Sequence, residues 1–323
     1  MRLMIRAAIA IGLLELLTLS IQSTHADTWP QRTVRLIVPL GAGSATDLTA
    51  RLFADRLSAR WGQPVIVDNR PGGDGIIALS SFVGANDDHT LLVSYNGPIT
   101  VNPVTHSKLP YDPNTDLVPI SLASDIFVAI AATESLKIGS LAELAARARR
   151  EPGKLNWAPT PGGGYFVFAG FQKTADLPMV QVPYRDITQA LGDLAEGRIH
   201  IMIASLAILM PQVHAGKVKL LAVTNQRRAP IAPEVPTVGE AGYPELLLNG
   251  FAGFFGSRNM PHGRRDRVSA DIQAVANDPV LRDRLATAGQ AARASTAEEL
   301  ATIIAEQRAH IERTAKVLGL SPI

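Results

Sequence analysis

VRLIVPLGAGSATDLTARLFADRL, Val34 to Leu57, joins three kinds of chain in 24 residues. An apolar run rich in β-branched residues enters a turn of Gly41, Ala42, Gly43, Ser44 and Ala45, then leaves through Thr46 and Asp47 into a helical pattern. Strand, glycine-bearing turn and helix start together resemble a phosphate cradle. A helix N-terminus presents unpaired N–H groups and roughly half a positive charge, which suits an anion. The turn either holds a nucleotide for chemistry or receives a small anion and releases it.

The nucleotide reading fails on detail. Gly41-Ala-Gly43, with Asp68 at the end of the next strand, imitates a dinucleotide fingerprint, but Thr46 stands where the third glycine must let helix and strand approach. There is no G-x-x-x-x-G-K-[ST]. Ser44 is flanked at two residues' distance by Ala42 and Thr46, not by the glycines of a nucleophile elbow. Asp112, Asn114 and Asp116 open like a calcium loop, yet Leu117 and Ala123 occupy the glycine and bidentate-acid positions, so turn residues capping one another is the reading kept. The histidines read as scattered, with no H-E-x-x-H and no short His/acid cluster. No catalytic residue, metal site or cofactor is expected.

Outward from this stretch, strand-like and helical runs alternate: PVIVDN before Ile76 to Ala85, then TLLVSYN, KLNWAP, MVQVPY, HIMIAS and KLLAVT, each of the last four before a helical stretch. Such alternation implies α/β layers with largely parallel sheets. Ser140/Glu143, Thr237/Glu240 and Thr296/Glu299 fit the capping box, and Asp278-Pro279 fits a capped helix start. ISLASDIF and VAIAA are candidates for a crossing between lobes, and the chain beyond Pro261 reads as almost all helix. One pattern occurs twice: VPLGAGSATD and NWAPTPGGGYF are each strand, glycine turn and helix start, one per presumptive lobe. Two such helix starts facing one cleft balance about one carboxylate without lysine or arginine. Thr46 is expected to cap its helix; Asp47 is expected to turn away and brace the loop.

At the start of the chain, Arg2 and Arg6 precede an apolar run from Ala7 to Ile21 and Thr24-His25-Ala26, the shape of an export signal with its cleavage site. Residues 1–26 are therefore expected to be a cleaved signal peptide, and the mature chain to lie in the periplasm. Their removal lowers the formal charge from +2 to +1, which gives no basis for nucleic-acid binding. Absence of cysteine excludes disulfides and thiolate metal sites.

VRLIVPLGAGSATDLTARL, GQPVIVDNRPGGDG, KLPYDPNTDLVPIS, VPYRDITQALGDLAEGRIHIMI, HAGKVKLLAVTNQR and PEVPTVGEAGYPE resemble, in order and nearly end to end, the periplasmic receptors of tripartite tricarboxylate transporters, the Bug-type family. The resemblance implies a type II periplasmic-binding-protein fold: two α/β lobes with mixed sheets and a ligand cleft between them. Lobe 1 is expected over 27–122 plus 229–323, lobe 2 over 123–228. It implies a small organic carboxylate as ligand, di- or tricarboxylate or aromatic acid, transient contact with membrane transporter subunits, and a monomer that is not membrane-embedded.

By position the resemblance places in the cleft wall Leu40, Gly41, Ala42, Gly43, Ser44, Ala45, Thr46 and Asp47. It adds Tyr95, Asn96 and Gly97; Thr160, Gly162, Gly163, Gly164 and Tyr165; Tyr184, Arg185 and Asp186; and Ser205. Ser44 departs from the family's glycine run and offers a hydroxyl. Arg185-Asp186 stands where the family has Lys-Gly, so either Arg185 clamps a second carboxylate or Asp186 occupies it. Trp157, Tyr165, Phe166 and Phe168 near the second turn favour an aromatic or longer acid if they reach the ligand. The rival readings are an exported carboxylate-processing enzyme and a ligand-sensing partner of a membrane signalling protein on the same fold.

Overall fold

The structure, a computed structural model, describes residues 29–85, 87–160, 163–184 and 187–320. The expected signal peptide, and Gly162, Arg185 and Asp186 among the expected site residues, lie outside the described residues.

Eleven strands form two sheets among the described residues. The first has six strands in the order β11-β4-β10-β3-β1-β2, the second five in the order β7-β6-β8-β5-β9. In the first, β1 (Val34–Val38) leads through α1 (Ala45–Trp61) to β2 (Val65–Asn69), and α2 (Ile76–Ala85) returns the chain to β3 (Thr90–Tyr95). β1 lies parallel between β2 and β3. β10 (Gly250–Ser257) and β4 (Leu117–Ile126) extend the sheet antiparallel. The near-continuous apolar strands fit this burial, since a parallel sheet is covered on both faces. All six residues of β3 are buried.

At Phe127 the chain changes sheet. β4 remains in the first sheet to Ile126, and β5 (Val128–Thr133) starts the second. The expected boundary at 122/123 therefore cuts a strand. β5 lies between β8 (Ile201–Ser205) and β9 (Val218–Val223), antiparallel to both. β6 (Asn156–Pro159) lies parallel between β7 (Val180–Gln181) and β8. α3 (Leu141–Arg150), α4 (Gly164–Thr174), α5 (Ile187–Ala195) and α6 (Leu206–His214) connect these strands. The return leg also differs from the expected boundary at 228/229: Val238, Leu246 and Leu248 are buried in the second sheet's core, so that core holds the chain until shortly before β10.

The chain beyond Pro261 is mostly helical as expected, with α7 (His262–Ala276), α8 (Pro279–Thr287) and α9 (Ala297–Leu318). Asp278 caps α8 by accepting from the Leu281 N–H, with Pro279 at its first position. Thr296 and Glu299 form a complete capping box on α9. Ser140 caps α3, but its Glu143 turns back to the Gly139 N–H. Thr237 and Glu240 exchange the same two bonds around a turn rather than a helix. α9 ties the two cores together: Leu300 and Ile304 pack in the first sheet's cluster, Ile311 and Ala315 in the second's. One strand breaks the helical expectation, β11 (Gln290–Ala292), an edge strand three residues long.

Candidate functional site

Each sheet reverses its strand order once at a glycine-bearing turn. β1 runs out to β2 on one side while the chain resumes at β3 on the other; β6 stands in the same relation to β7 and β8. In open α/β sheets ligands bind outside the carboxyl ends of the strands at such a switch point. The two expected turns follow β1 and β6, so they occupy the equivalent place in their two sheets.

The first turn is open. Gly41, Ala42 and Gly43 are exposed, and a Cβ on Gly41 or Gly43 would meet nothing within 4 Å. Gly43 is required for its backbone, with φ +85 in the region L side chains avoid. Ser44, not Thr46, caps α1: its hydroxyl accepts from the Asp47 N–H at 3.2 Å. Thr46 lies two residues further on, in the first turn of α1, fully buried, and its hydroxyl finds no partner. The cap uses the Ser44 oxygen as acceptor and leaves its O–H as a donor.

Asp47 braces the turn as expected. Its Oδ2 accepts from the Gly43 N–H at 2.9 Å and from Arg51 Nε at 3.0 Å; its Oδ1 accepts from Asn69 Nδ2 at 2.8 Å. Asn69 also donates to the Leu40 carbonyl at 2.9 Å. Burial pushes the Asp47 carboxyl up, but Arg51, the Gly43 N–H and Asn69 together outweigh it and hold the group below the usual carboxylate range. The one acid of the turn is thereby neutralised internally.

β3 brings the next segment alongside. Ile37 pairs with Leu92, so Leu40 and Tyr95, each three residues on, leave the same edge. The Tyr95 ring lies over Gly97, where a Cβ would come 2.4 Å from a ring carbon; only glycine fits. Burial pushes the Tyr95 hydroxyl well above its ordinary value, so it stays protonated. The loop after β2 closes this edge: a Cβ on Gly75 would strike Pro98 at 2.4 Å and Pro39 at 3.2 Å. Gly72, Gly73, Asp74 and Gly75 all have positive φ. Sequence reading did not place this loop at the site, although three glycines in four residues of NRPGGDG mark a backbone with such needs.

The second turn is tighter. The Thr160 N–H and hydroxyl both donate to the Ile203 carbonyl, at 2.9 and 3.2 Å. A Cβ on Gly164 would press on Ile203 at 3.0 Å. Gly163 caps α4 with φ −64 and, having no side chain, makes no side-chain cap bond to the N–H groups of the first turn. A Cβ on Gly163 would lie 2.9 Å from Leu248 Cδ1 and 3.6 Å from Asn96 Nδ2. Gly163 of the second sheet's turn and Asn96 of the first sheet's edge are therefore neighbours, and the two switch points meet there. Ser205 starts α6 from the end of β8, beside β6, and its side chain makes no capping bond.

Tyr184 spends its hydroxyl on Asp193 Oδ2 at 2.6 Å, and burial together with that bond pushes the hydroxyl up to about 12. That bond ties Tyr184 to α5. Trp157, Phe166 and Phe168 are 1%, 7% and 1% exposed and belong to the second sheet's core. Of the aromatic group only Tyr165 is partly exposed, stacked on Trp157 with centroids 6.1 Å apart. The basis for expecting an aromatic acid is removed.

Among the described residues of these turns there is no lysine or arginine. What the arrangement offers an anion is backbone N–H groups at helix starts, with the Ser205 hydroxyl and Asn96 amide at hand. Elsewhere, Asp87, Asp88 and His89 bring ligand-type atoms within 4.8 Å of one another, a short cluster that sequence reading passed over. Its carboxylates already answer Arg32 and Arg264. Asp116 accepts from the Asp112 N–H and Asp112 from the Asn114 N–H, turn capping as expected.

The model of the family described as "Tripartite tricarboxylate transporter family receptor" matches residues 49–320. A UPF0065 protein of Bordetella bronchiseptica is 30% identical over 311 residues, 95% of this chain and 92% of that protein. A Rhodopseudomonas palustris protein solved with adipate is 30% identical, with a TM-score of 0.82 over 91% of this chain and 100% of that one. MatC of the same organism, solved with bound malate, is 27% identical, with a TM-score of 0.76 over 88% and 99%. With its twin switch points and this family match, the chain belongs to the tripartite tricarboxylate transporter receptor family, periplasmic binding proteins and not enzymes.

Proposed function

We propose that the protein is a periplasmic receptor that closes around a small organic carboxylate between its two lobes and delivers it to a tripartite tricarboxylate-type permease. The observation that carries this reading is that Gly163 of the second glycine turn neighbours Asn96, which follows β3 on the edge the first turn leaves, 3.6 Å from amide nitrogen to the Cβ position. Two helix starts, each worth roughly half a positive charge, balance one carboxylate. The ligand is then held by neutral donors, which lets it leave again when the lobes part.

Adipate and malate in the two Rhodopseudomonas structures support an aliphatic di- or hydroxydicarboxylate over an aromatic acid. The core position of Phe166 and Phe168 supports the same choice. Leu40, Gly41, Ala42, Gly43 and Ala45 form one wall of the proposed site, Thr160, Gly163, Gly164, Tyr165 and Ser205 the other, with Tyr95, Asn96 and Gly97 between. Arg185 is proposed to meet the second carboxylate, with the signal peptide over 1–26 directing export. Lobe 1 is proposed to end at Phe127 and resume near Asn249, where the sheets exchange the chain. Closure follows from the ligand's differential affinity for the closed form. A micromolar dissociation constant, about 8 kcal/mol, suits capture with release.

The test is thermal unfolding against mono-, di- and tricarboxylates, aromatic acids and acidic amino acids. A ligand at 100 times its dissociation constant adds about 2.7 kcal/mol, several degrees in a domain of this size. A midpoint that no acid moves sinks the reading.

A further inference from the structure

The short strand β11 touches the start of a helix in each lobe. Gly289, φ +70, lies against the backbone where α6 begins: a Cβ there would be 3.2 Å from the Ala207 nitrogen and 3.2 Å from Leu206 Cβ. Gln290 is 1% exposed, and its side chain faces the start of α1. Its Nε2 donates to the Ala45 carbonyl at 3.1 Å; its Oε1 accepts from Thr49 at 2.7 Å and from Ser124 at 3.0 Å. Thr49 and Ser124 are themselves 2.9 Å apart, and both are fully buried.

Ser124 lies on β4, three residues before the sheet change at Phe127, and the Phe127 carbonyl accepts from the Leu206 N–H at 2.8 Å. Gln290 itself pairs with Ile126, and Ala291 packs against the second sheet's cluster. The dipeptide Gly289-Gln290 thus contacts the first helix turn behind Gly43, the crossing strand, and the helix start carried by Ser205. Every polar atom of the Gln290 amide group has a partner. Thr49 also reaches the Ala45 carbonyl at 3.1 Å, so the network closes on the start of α1, and an unmade bond inside it costs the desolvation of the group left over.

We propose that Gln290 is a positioning residue coupling the start of α1 to the start of α6, so that seating an anion on the first turn and moving the second lobe are one event. This rests on the receptor reading for its ligand, but the coupling has a ligand-free signature. Coupling needs a physical element biased from both sides; here it is one strand bonded to one lobe and packed on the other.

The experiment is amide hydrogen exchange on ligand-free wild type and Gln290→Met, which keeps volume and removes all three bonds. The expected result is exchange at least tenfold faster in both 43–49 and 205–210, with the α7 core unchanged. Faster exchange at 43–49 alone, or uniformly across the chain, overturns the proposal. Should Gln290→Met not fold, Thr49→Val loosens the same network from the α1 side; a response at 43–49 with 205–210 unmoved overturns it equally. A second readout is adipate and malate affinity, expected to fall at least tenfold in Gln290→Met for whichever acid stabilises wild type. Unchanged affinity also overturns the proposal. Failure of every acid in the panel to stabilise wild type counts against the receptor reading, while the exchange comparison still judges the coupling.

Discussion

Asp47→Asn tests the internal neutralisation of the first turn. The carboxylate is 2% exposed and accepts three bonds, two at Oδ2 from Gly43 and Arg51 and one at Oδ1 from Asn69. Asparagine is isosteric but has one acceptor. With its oxygen toward Gly43 and Arg51, its NH2 faces the Asn69 NH2. Asn69 cannot turn over in compensation, because its other bonds, to the Leu40 carbonyl and from Arg51, fix its orientation. The substitution loses one charge-assisted bond, worth about 1.5–3 kcal/mol, makes the Gly43 bond neutral and leaves the Arg51 bond charged only at its donor, each weaker by about 1 kcal/mol. Relief of the buried charge returns part of this, leaving a net loss of about 2–3 kcal/mol.

Urea unfolding at neutral pH measures that loss. Its pH dependence checks the cause. The folded-state pKa of Asp47 is depressed, so its contribution is complete above the unfolded value of about 3.9 and is lost as pH falls through the folded value. The deficit of Asp47→Asn is therefore constant from about pH 5 upward and narrows below about pH 4. A deficit under about 0.5 kcal/mol, the range of an ordinary surface change, refutes the bracing argument. So does a deficit that persists undiminished into acid.

Gly163→Ala adds a methyl 2.9 Å from Leu248 Cδ1 and 3.6 Å from Asn96 Nδ2. With φ −64 the backbone accepts alanine, so the effect is steric. Titration with the best panel acid is expected to show at least tenfold weaker binding, with the ligand-free unfolding midpoint lowered by less than about 2 kcal/mol; unaltered affinity removes Gly163 from the site. Burial pushes Asp87 up, but Arg32, the His89 N–H and Thr90 outweigh it and hold the carboxyl down at about 2. Its stabilisation is accordingly full above about pH 4 and is lost between there and pH 2. Arg32 is 58% exposed, so the amount is under about 1 kcal/mol. Comparing Asp87→Asn with wild type across that window is expected to show the two unfolding midpoints converging as the pH falls.

How much of this was legible in the sequence follows from the range of each interaction. α2 begins and ends where the apolar pattern placed it, Ile76 to Ala85, and α8 and α9 start at the capping residues read from the chain. These signals act within a few residues, and so did the bracing of the turn by Asp47. The two glycine turns were also visible, because a left-handed residue such as Gly43 declares its need locally. The exchange between Ser44 and Thr46 as helix cap was not: both are hydroxyl residues, and only the folded chain shows Thr46 fully buried inside the helix.

Contacts between distant parts of the chain were decided by tertiary structure alone. Nothing near Gly163 in sequence announces Asn96 or Leu248, and nothing in GQAAR announces a strand that bonds Thr49 and Ser124. Phe166 and Phe168 look equally able to line a pocket or fill a core until α4 is laid on its sheet. The sequence by itself determined the alternation of strands and helices, the placement of the turns and the family. Which residues meet across the two sheets depended on how the sheets pack, since burial and hydrogen bonding between distant segments carry no local signature.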